Sequence, residues 1–281
     1  MSGRVDAHHH VWDLSVREQT WMVGPELDPV RRNFSIDDLA PLAAAAEVTS
    51  TVLVQTVGVA AETPEFLEVA AGNDLVAGVV GWVDLTAVDV ADALAGLQDR
   101  PDGGWLKGIR HQVHDEPDPR WLCRDDVRAG LAAVADAGLV YDLLTKTPHL
   151  QAALETVRAL PQLSFVVDHI SKPVIGGDLD PWASGLRALA TQPNVDCKLS
   201  GMVTEASWTD WKVSDLQPYA DVVLDAFGPD RVMFGSDWPV CLLAASYGEV
   251  VQAAEALTAS LSTPEQEAIF SNTARRLYHL G

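Results

Sequence analysis

Arg4-Val5-Asp6-Ala7-His8-His9-His10-Val11-Trp12 is the stretch on which the fold turns. Apolar residues alternate with polar ones and then give way to three histidines, so the segment reads as a strand with chemistry at its end. An affinity-tag remnant fits poorly, because the histidines lie inside a patterned apolar run and not in a Gly/Ser-rich flank. In an open doubly wound sheet, the first strand would run into a glycine-rich, phosphate-binding turn. Histidines and Trp12 stand there instead.

Working outward, seven more short β-branched runs follow, at Thr51–Thr56, Val76–Val83, Leu106–His111, Leu139–Leu144, Leu163–His169, Val195–Ser200 and Arg231–Gly235. With Arg4–Val11 they make eight predicted strands. Alanine-rich helical stretches separate them at Ile36–Ala46, Pro64–Ala71, Val88–Leu97, Asp125–Ala137, Pro148–Ala159, Asp180–Ala190 and Asp215–Phe227. Ser35 and Thr63 read as N-caps, and Gly138 and Gly228 as helix stops. After the eighth strand come a helix over Ala244–Leu261 and a final one, capped by Thr263 with Pro264 behind it, running to His279. Strand–helix alternation with continuous apolar strands implies a parallel sheet covered by helices. Eight such units close most economically into a distorted (β/α)8 TIM barrel with an extra C-terminal helix, one α/β domain over residues 1–281.

Composition narrows the function. Of the 281 residues 48% are hydrophobic and 21% charged, enough apolar material for a buried core. The formal net charge is −21, from 40 acidic against 19 basic residues, and the longest basic run is Arg31-Arg32. Such a field disfavours nucleic acid and anionic membranes as partners. Three separated cysteines, no leader-like segment and no long apolar run lead us to expect reduced thiols and a cytoplasmic enzyme acting on a small molecule; a homo-oligomer is compatible with this.

In a barrel, the chemistry sits where the strands end. The first ends in His8-x-His10; residues two apart on a strand share a face, so these two can converge on a metal or a substrate while His9 turns toward the helices. The fourth strand carries Lys107-Gly108-Ile109-Arg110-His111 and the fifth Tyr141-Asp142. The sixth ends in Val167-Asp168-His169-Ile170-Ser171-Lys172-Pro173, the seventh in Cys197-Lys198-Leu199-Ser200-Gly201, and the eighth in Phe234-Gly235-Ser236-Asp237-Trp238-Pro239. A ring of polar strand ends is costly unless the groups pair or work. No Gly-x-Ser-x-Gly elbow, phosphate loop or His-Glu-x-x-His occurs, so serine-nucleophile and phosphoryl-transfer chemistry lack support.

The order DAHHHVW, KGIRH, VVDHISKP, KLSG, FGSDWPV resembles the amidohydrolase superfamily, in its branch rich in sugar-lactone and pyrone-dicarboxylate lactonases. The likeness implies a first-strand pair at His8 and His10, a sixth-strand histidine at His169, and an eighth-strand aspartate at Asp237 that activates water. It also implies departures. Members with two metals have a carboxylated lysine or another ligand on the fourth strand and a histidine on the fifth. Here Lys107 falls early on its strand, and the fifth offers Asp142. The cofactor expectation is therefore none or one divalent metal, with Zn2+ on His8, His10 and Asp237.

On this basis, Asp237 is expected as general base, with His169, His111 and Arg110 as further catalytic groups stabilising an oxyanion. Lys107, Asp142 and Lys172 are expected among the substrate-binding groups. Nine tryptophans invite a sugar ring, and Trp12, Trp21, Trp121, Trp208, Trp211 and Trp238 are expected over the mouth. Arg110 is alone among arginines on a strand end, which favours an aldonolactone of the fucono or rhamnono kind over a pyrone dicarboxylate. A metal-dependent decarboxylase of the same superfamily and a non-catalytic sugar-binding barrel are the other readings.

Overall fold

The computed structural model describes residues 3–281. Eight strands run in sequence order as one parallel sheet: β1 (Arg4–His9), β2 (Val48–Val54), β3 (Val76–Gly81), β4 (Leu106–His111), β5 (Val140–Leu143), β6 (Phe165–Val167), β7 (Val195–Leu199) and β8 (Val232–Phe234). Around them lie α1 (Ile36–Ala45), α2 (Glu62–Ala71), α3 (Val90–Gln98), α4 (Asp125–Asp136), α5 (Leu150–Ala159), α6 (Trp182–Ala190), α7 (Val213–Phe227) and α8 (Tyr247–Leu257). The expected (β/α)8 barrel is the architecture observed.

Two apolar layers follow from the period-2 alternation of each strand. Val52 and Val54 point inward with Val5, Ala7, Val80, Val140, Val166 and Met233, while Leu53 points out to the helices. The inner layer is closed at its lower end by the C-terminal segment. There α9 (Thr263–Glu267), a π turn over Ala268–Asn272 and α10 (Thr273–Leu277) bring Ala274, Leu277, Tyr278 and Leu280 under the barrel. Full burial of each large apolar side chain contributes about 1.5–3 kcal/mol.

The seam between β8 and β1 is closed by the segment after β8. His10 N–H donates to the Trp238 carbonyl at 2.7 Å, and Asp237 N–H donates to the His8 carbonyl at 2.8 Å. Asp6 pins the same seam, accepting from Ser236 N–H (2.8 Å), His8 N–H (3.1 Å) and the Tyr247 hydroxyl (3.2 Å). Burial pushes its carboxyl up to about 6 despite these donors.

Several expected boundaries shift for local reasons. Thr63 does not cap α2, which starts at Glu62; its hydroxyl instead donates to the Trp82 carbonyl and accepts from Trp82 N–H. Ser262, not Thr263, caps α9, with the Glu265 carboxylate accepting from Ser262 N–H at 2.7 Å. The helix expected from Ala244 begins only at Tyr247, behind a Ser246/Glu249 capping box. β6 stops at Val167 because the next turn is left-handed. The three cysteines are unpaired, and no described helix is long and apolar enough to cross a membrane.

Candidate active site

Strict alternation would turn His8 and His10 away from the barrel, since Val5 and Ala7 face into it. A break in register prevents this. Asp6 pairs with Thr51 and His9 with Leu53, so three steps along β1 match two along β2, as in a bulge. His8 and His10 thereby face the barrel mouth. His9 shares the outward side of its partner Leu53, fully buried, with both ring nitrogens lacking a hydrogen-bond partner among the described residues.

Four side chains converge at the mouth. His8 Nε2 lies 3.2 Å from His10 Nε2, and Asp237 Oδ1 lies 3.4 Å from His10 Nε2, 3.9 Å from His8 Nε2 and 3.7 Å from His169 Nε2. His10 Nδ1 donates to the Val54 carbonyl at 2.7 Å, which leaves its Nε2 lone pair aimed at the cluster. Zinc–ligand bonds of about 2.0–2.2 Å set tetrahedral ligand atoms about 3.4 Å apart. The spacings within His8, His10 and Asp237 match that figure, so this buried trio can hold a divalent metal.

Backbone geometry holds the two remaining groups. After β6, His169, Ile170, Ser171 and Lys172 all have positive φ, at 50°, 49°, 61° and 45°, and Asp237 has φ 56°. Such conformations cost non-glycine residues energy and persist where surroundings over-determine them. Here Trp182 Nε1–H donates to the Ile170 carbonyl at 2.7 Å, the Thr145 and Ser171 hydroxyls bond at 2.6 Å, and His169 Nδ1 meets Ser200 Oγ at 2.9 Å. Gly201, at φ 64°, leaves room for His169: a Cβ there would lie 2.6 Å from Nδ1.

Beneath the mouth is a layer of buried charge. Arg110 Nη1 donates to Asp168 Oδ2 at 3.0 Å and lies 3.2 Å from His8 Nε2; its Nε and Nη2 donate to the Gln55 side chain (2.9 Å) and carbonyl (2.5 Å). Lys198 reaches Asp142 Oδ2 at 2.6 Å and Asp168 Oδ1 at 3.0 Å. Burial works to raise the Asp168 carboxyl, but Lys198, His8 and Arg110 outweigh it and hold it well below the usual range. Burial brings His169 down to about 4 and His8 well below its ordinary value, so both rings are neutral at pH 7. Asp237 is depressed as well, its imidazole neighbours overcoming the effect of burial, and is ionised.

A cavity of about 170 Å³ opens onto this cluster. Its lining includes the expected Asp237, His169, Arg110, His10, Trp12, Trp21 and Lys172. Thr56, Gln112, His114, Asp115, Leu144 and Val240, not foreseen from the sequence, complete it. His8 sits just behind, fully buried. A larger groove of about 590 Å³ beside α1 and α2 shares Trp12 but holds none of the clustered histidines or Asp237.

Other expected residues lie elsewhere. Lys107 is at the opposite end of β4, against Gly78 and Leu280 under the barrel. Because Arg110 points inward, His111 points outward, stacked on Trp121 with ring centroids 4.2 Å apart and bonded to Glu116 at 2.7 Å. Asp142 is sealed inside, hydrogen-bonded by Tyr278 and Lys198. Trp208 and Trp211 spend their N–H groups on the Thr204 and Ala244 carbonyls, each at 2.9 Å, and pack the loop after β7. Trp238 is buried edge-on against Phe34. Asp168 and Lys198 escaped assignment although DHISK and KLSG contain them; an ionisable residue facing into a barrel strand end was the available signal.

A parallel barrel with two β1 imidazoles, a β6 imidazole and a β8 carboxylate at its mouth is the architecture of an amidohydrolase, and the chain belongs to that family: the family model described as "Amidohydrolase" matches residues 5–280. Within it, the chain is similar to an L-fucono-1,5-lactonase of Burkholderia multivorans, 39% identical with 99% of this chain and 96% of the relative covered. An L-fucono-1,5-lactonase of Burkholderia ambifaria is 38% identical, covering 89% and 84%. A crystal structure of an amidohydrolase from Burkholderia multivorans with bound zinc superposes with a TM-score of 0.92 at 36% identity, covering 99% of both chains.

Proposed function

We propose that this enzyme hydrolyses a sugar aldonolactone of the fucono or rhamnono kind, with Asp237 as general base. The observation that carries the reading is the Asp237 carboxylate itself, ionised in a buried site, with three imidazole Nε2 atoms within 3.9 Å of Oδ1, at the floor of a small cavity. Full-length similarity to two lactonases supports the substrate class.

Asp237 takes a proton from water as its oxygen attacks the lactone carbonyl, and the tetrahedral intermediate carries the negative charge on the former carbonyl oxygen. His169, with Nδ1 at 2.9 Å from Ser200 Oγ, serves in the tautomer that turns Nε2–H to the cavity, and Lys172, paired with Glu205, lines the rim. Collapse breaks the ring C–O bond, and Asp237 returns its proton to the leaving alkoxide, giving the open hydroxy acid. His8, His10 and Asp237 would hold a zinc ion, which, when bound, supplies Lewis-acid polarisation and a more acidic water. Trp12 and Trp21, with ring centroids 5.7 Å apart, line the cavity together with Gln112, His114 and Asp115, a mixture suited to the C–H face and hydroxyls of a sugar ring.

A pyrone dicarboxylate fits less well. Arg110 is the single arginine of the lining, and its donors are committed to Gln55 and Asp168. On this reading the enzyme works in the cytoplasm, alone or as a homo-oligomer, on a diffusible small molecule. The test is a pH-indicator hydrolysis screen over sugar lactones, pyrone dicarboxylates and aromatic acids, with and without chelator. Deoxy-sugar lactones should be opened fastest; acid release from no lactone would overturn the proposal.

A further inference from the structure

Below the catalytic mouth, His8 is shared by two groups of metal-type ligands. The upper group is His8, His10 and Asp237; the lower is His8, Asp168 and His169. Two of the lower three, His8 and Asp168, already have a cation against them. Lys198 projects from β7, fully buried, and its ammonium lies 3.0 Å from Asp168 Oδ1, 3.2 Å from His8 Nδ1 and 2.6 Å from Asp142 Oδ2. Two carboxylates and an imidazole are the donors that hold divalent metals. The cradle is braced from behind: Tyr278 donates to both oxygens of Asp142 at 2.8 and 2.9 Å, and Arg110 to Asp168 at 3.0 Å.

We propose that Lys198 is a built-in cation that fills the lower position, limits the centre to one divalent ion, and positions His8 for it. Charge balance supports this. Counted as side chains, the carboxylates Asp142, Asp168 and Asp237 outnumber the basic groups Lys198 and Arg110 by one. One divalent ion takes the cluster to one positive charge. A second would bring two further positive charges beside the Lys198 ammonium, which a buried position disfavours. Lys198 also braces the His8 ring from below. In the tautomer that ligates a metal, Nδ1–H points to Asp168 Oδ1 at 3.4 Å and the Nε2 lone pair faces His10, and Lys198 holds that Asp168 oxygen in place at 3.0 Å. Lys198 is thus a positioning residue that acts through His8.

The test compares the whole wild-type chain with Lys198→Ala after saturation with Zn2+ and removal of free ion, reading zinc per chain by elemental analysis. Wild type should hold one ion and the variant two. n-Propylammonium, which replaces the atoms removed, should return the variant to one ion and raise its thermal midpoint by about 4 °C or more. If the variant folds only when Zn2+ or n-propylammonium is supplied, the proposal also stands. A variant with the wild-type zinc count, a wild type holding two ions, or a variant that neither cation restores would overturn it. The inference shares its upper metal site with the function proposed above, but the two fail separately. A wild type that opens lactones while holding two ions defeats the role of Lys198 alone; one that opens no lactone leaves the ion counts as its measure.

Discussion

The backbone N–H of Asp237 donates to the carbonyl of His8 at 2.8 Å, so one hydrogen bond both closes the barrel seam and sets the carboxylate against the imidazole pair. Catalytic geometry is therefore a property of the closed barrel, and substitution of the Asp237 side chain leaves the closing bond in place.

Asp237→Asn should accordingly fold and lose turnover. Asparagine tolerates the left-handed backbone found there, while removal of a general base costs about 10²–10⁴ in rate. Steady-state kinetics on the best lactone, beside a thermal melt, checks both halves. A near wild-type rate would remove Asp237 from the mechanism.

Gly201→Ala should damage the site more than the fold. The added methyl would lie 2.6 Å from His169 Nδ1, and the φ of 64° strains any residue with a Cβ, at about 1–3 kcal/mol. The ring must move off Ser200. We expect a fall in kcat larger than the drop in thermal midpoint implies; unchanged kinetics would show that His169 does not need its present position.

His169 should make the protein acid-sensitive. Its ring stays neutral in the fold until about pH 4, whereas the unfolded chain protonates near 6.5, so the unfolded state binds more protons in between. Stability complete above 6.5 is lost as pH falls through 4, by about 3 kcal/mol from this residue. Denaturant unfolding of chelator-treated protein at several pH values should show a shallower acid decline in His169→Gln. Parallel curves would contradict the assignment.

The tryptophans should divide by position. Trp21→Ala removes cavity wall and should raise KM with a smaller change in kcat. Trp208→Ala breaks a bond to the Thr204 carbonyl away from the cavity and should lower stability while sparing KM. Kinetics of the two variants on one lactone decides; a KM effect at Trp208 would place substrate over that loop.

What could be read from the residues, and what could not, follows from the range of the forces involved. Alternation in runs such as Val48–Val54 is a local pattern, which is why the barrel and the His8/His10 pair were accessible, whereas the resemblance to amidohydrolases supplied His169 and Asp237 as their companions. The bulge in β1 depends on pairing with β2, and the left-handed turn at His169–Lys172 is held by Trp182, Thr145 and Ser200, remote in sequence. No local preference announces either. His111 and Arg110 looked equivalent at the end of β4, yet strand parity gives one the interior and the other a stack on Trp121. Lys107 and Lys198 differ likewise: one lies at the foot of its strand, the other is bonded to Asp142 and Asp168 within the barrel.

The segment beneath the barrel ties the end of the described chain to its chemistry. Tyr278 seals the inner apolar layer and donates to Asp142, which holds Lys198, which lies against His8. Four side chains from four distant parts of the sequence thus form a column from the floor of the molecule to its mouth. Without the Tyr278 hydroxyl, Asp142 would lose the donor that bonds both of its oxygens and keep Lys198 alone. A change at the floor of the barrel is thereby carried, through Asp142 and Lys198, to the imidazole at its mouth.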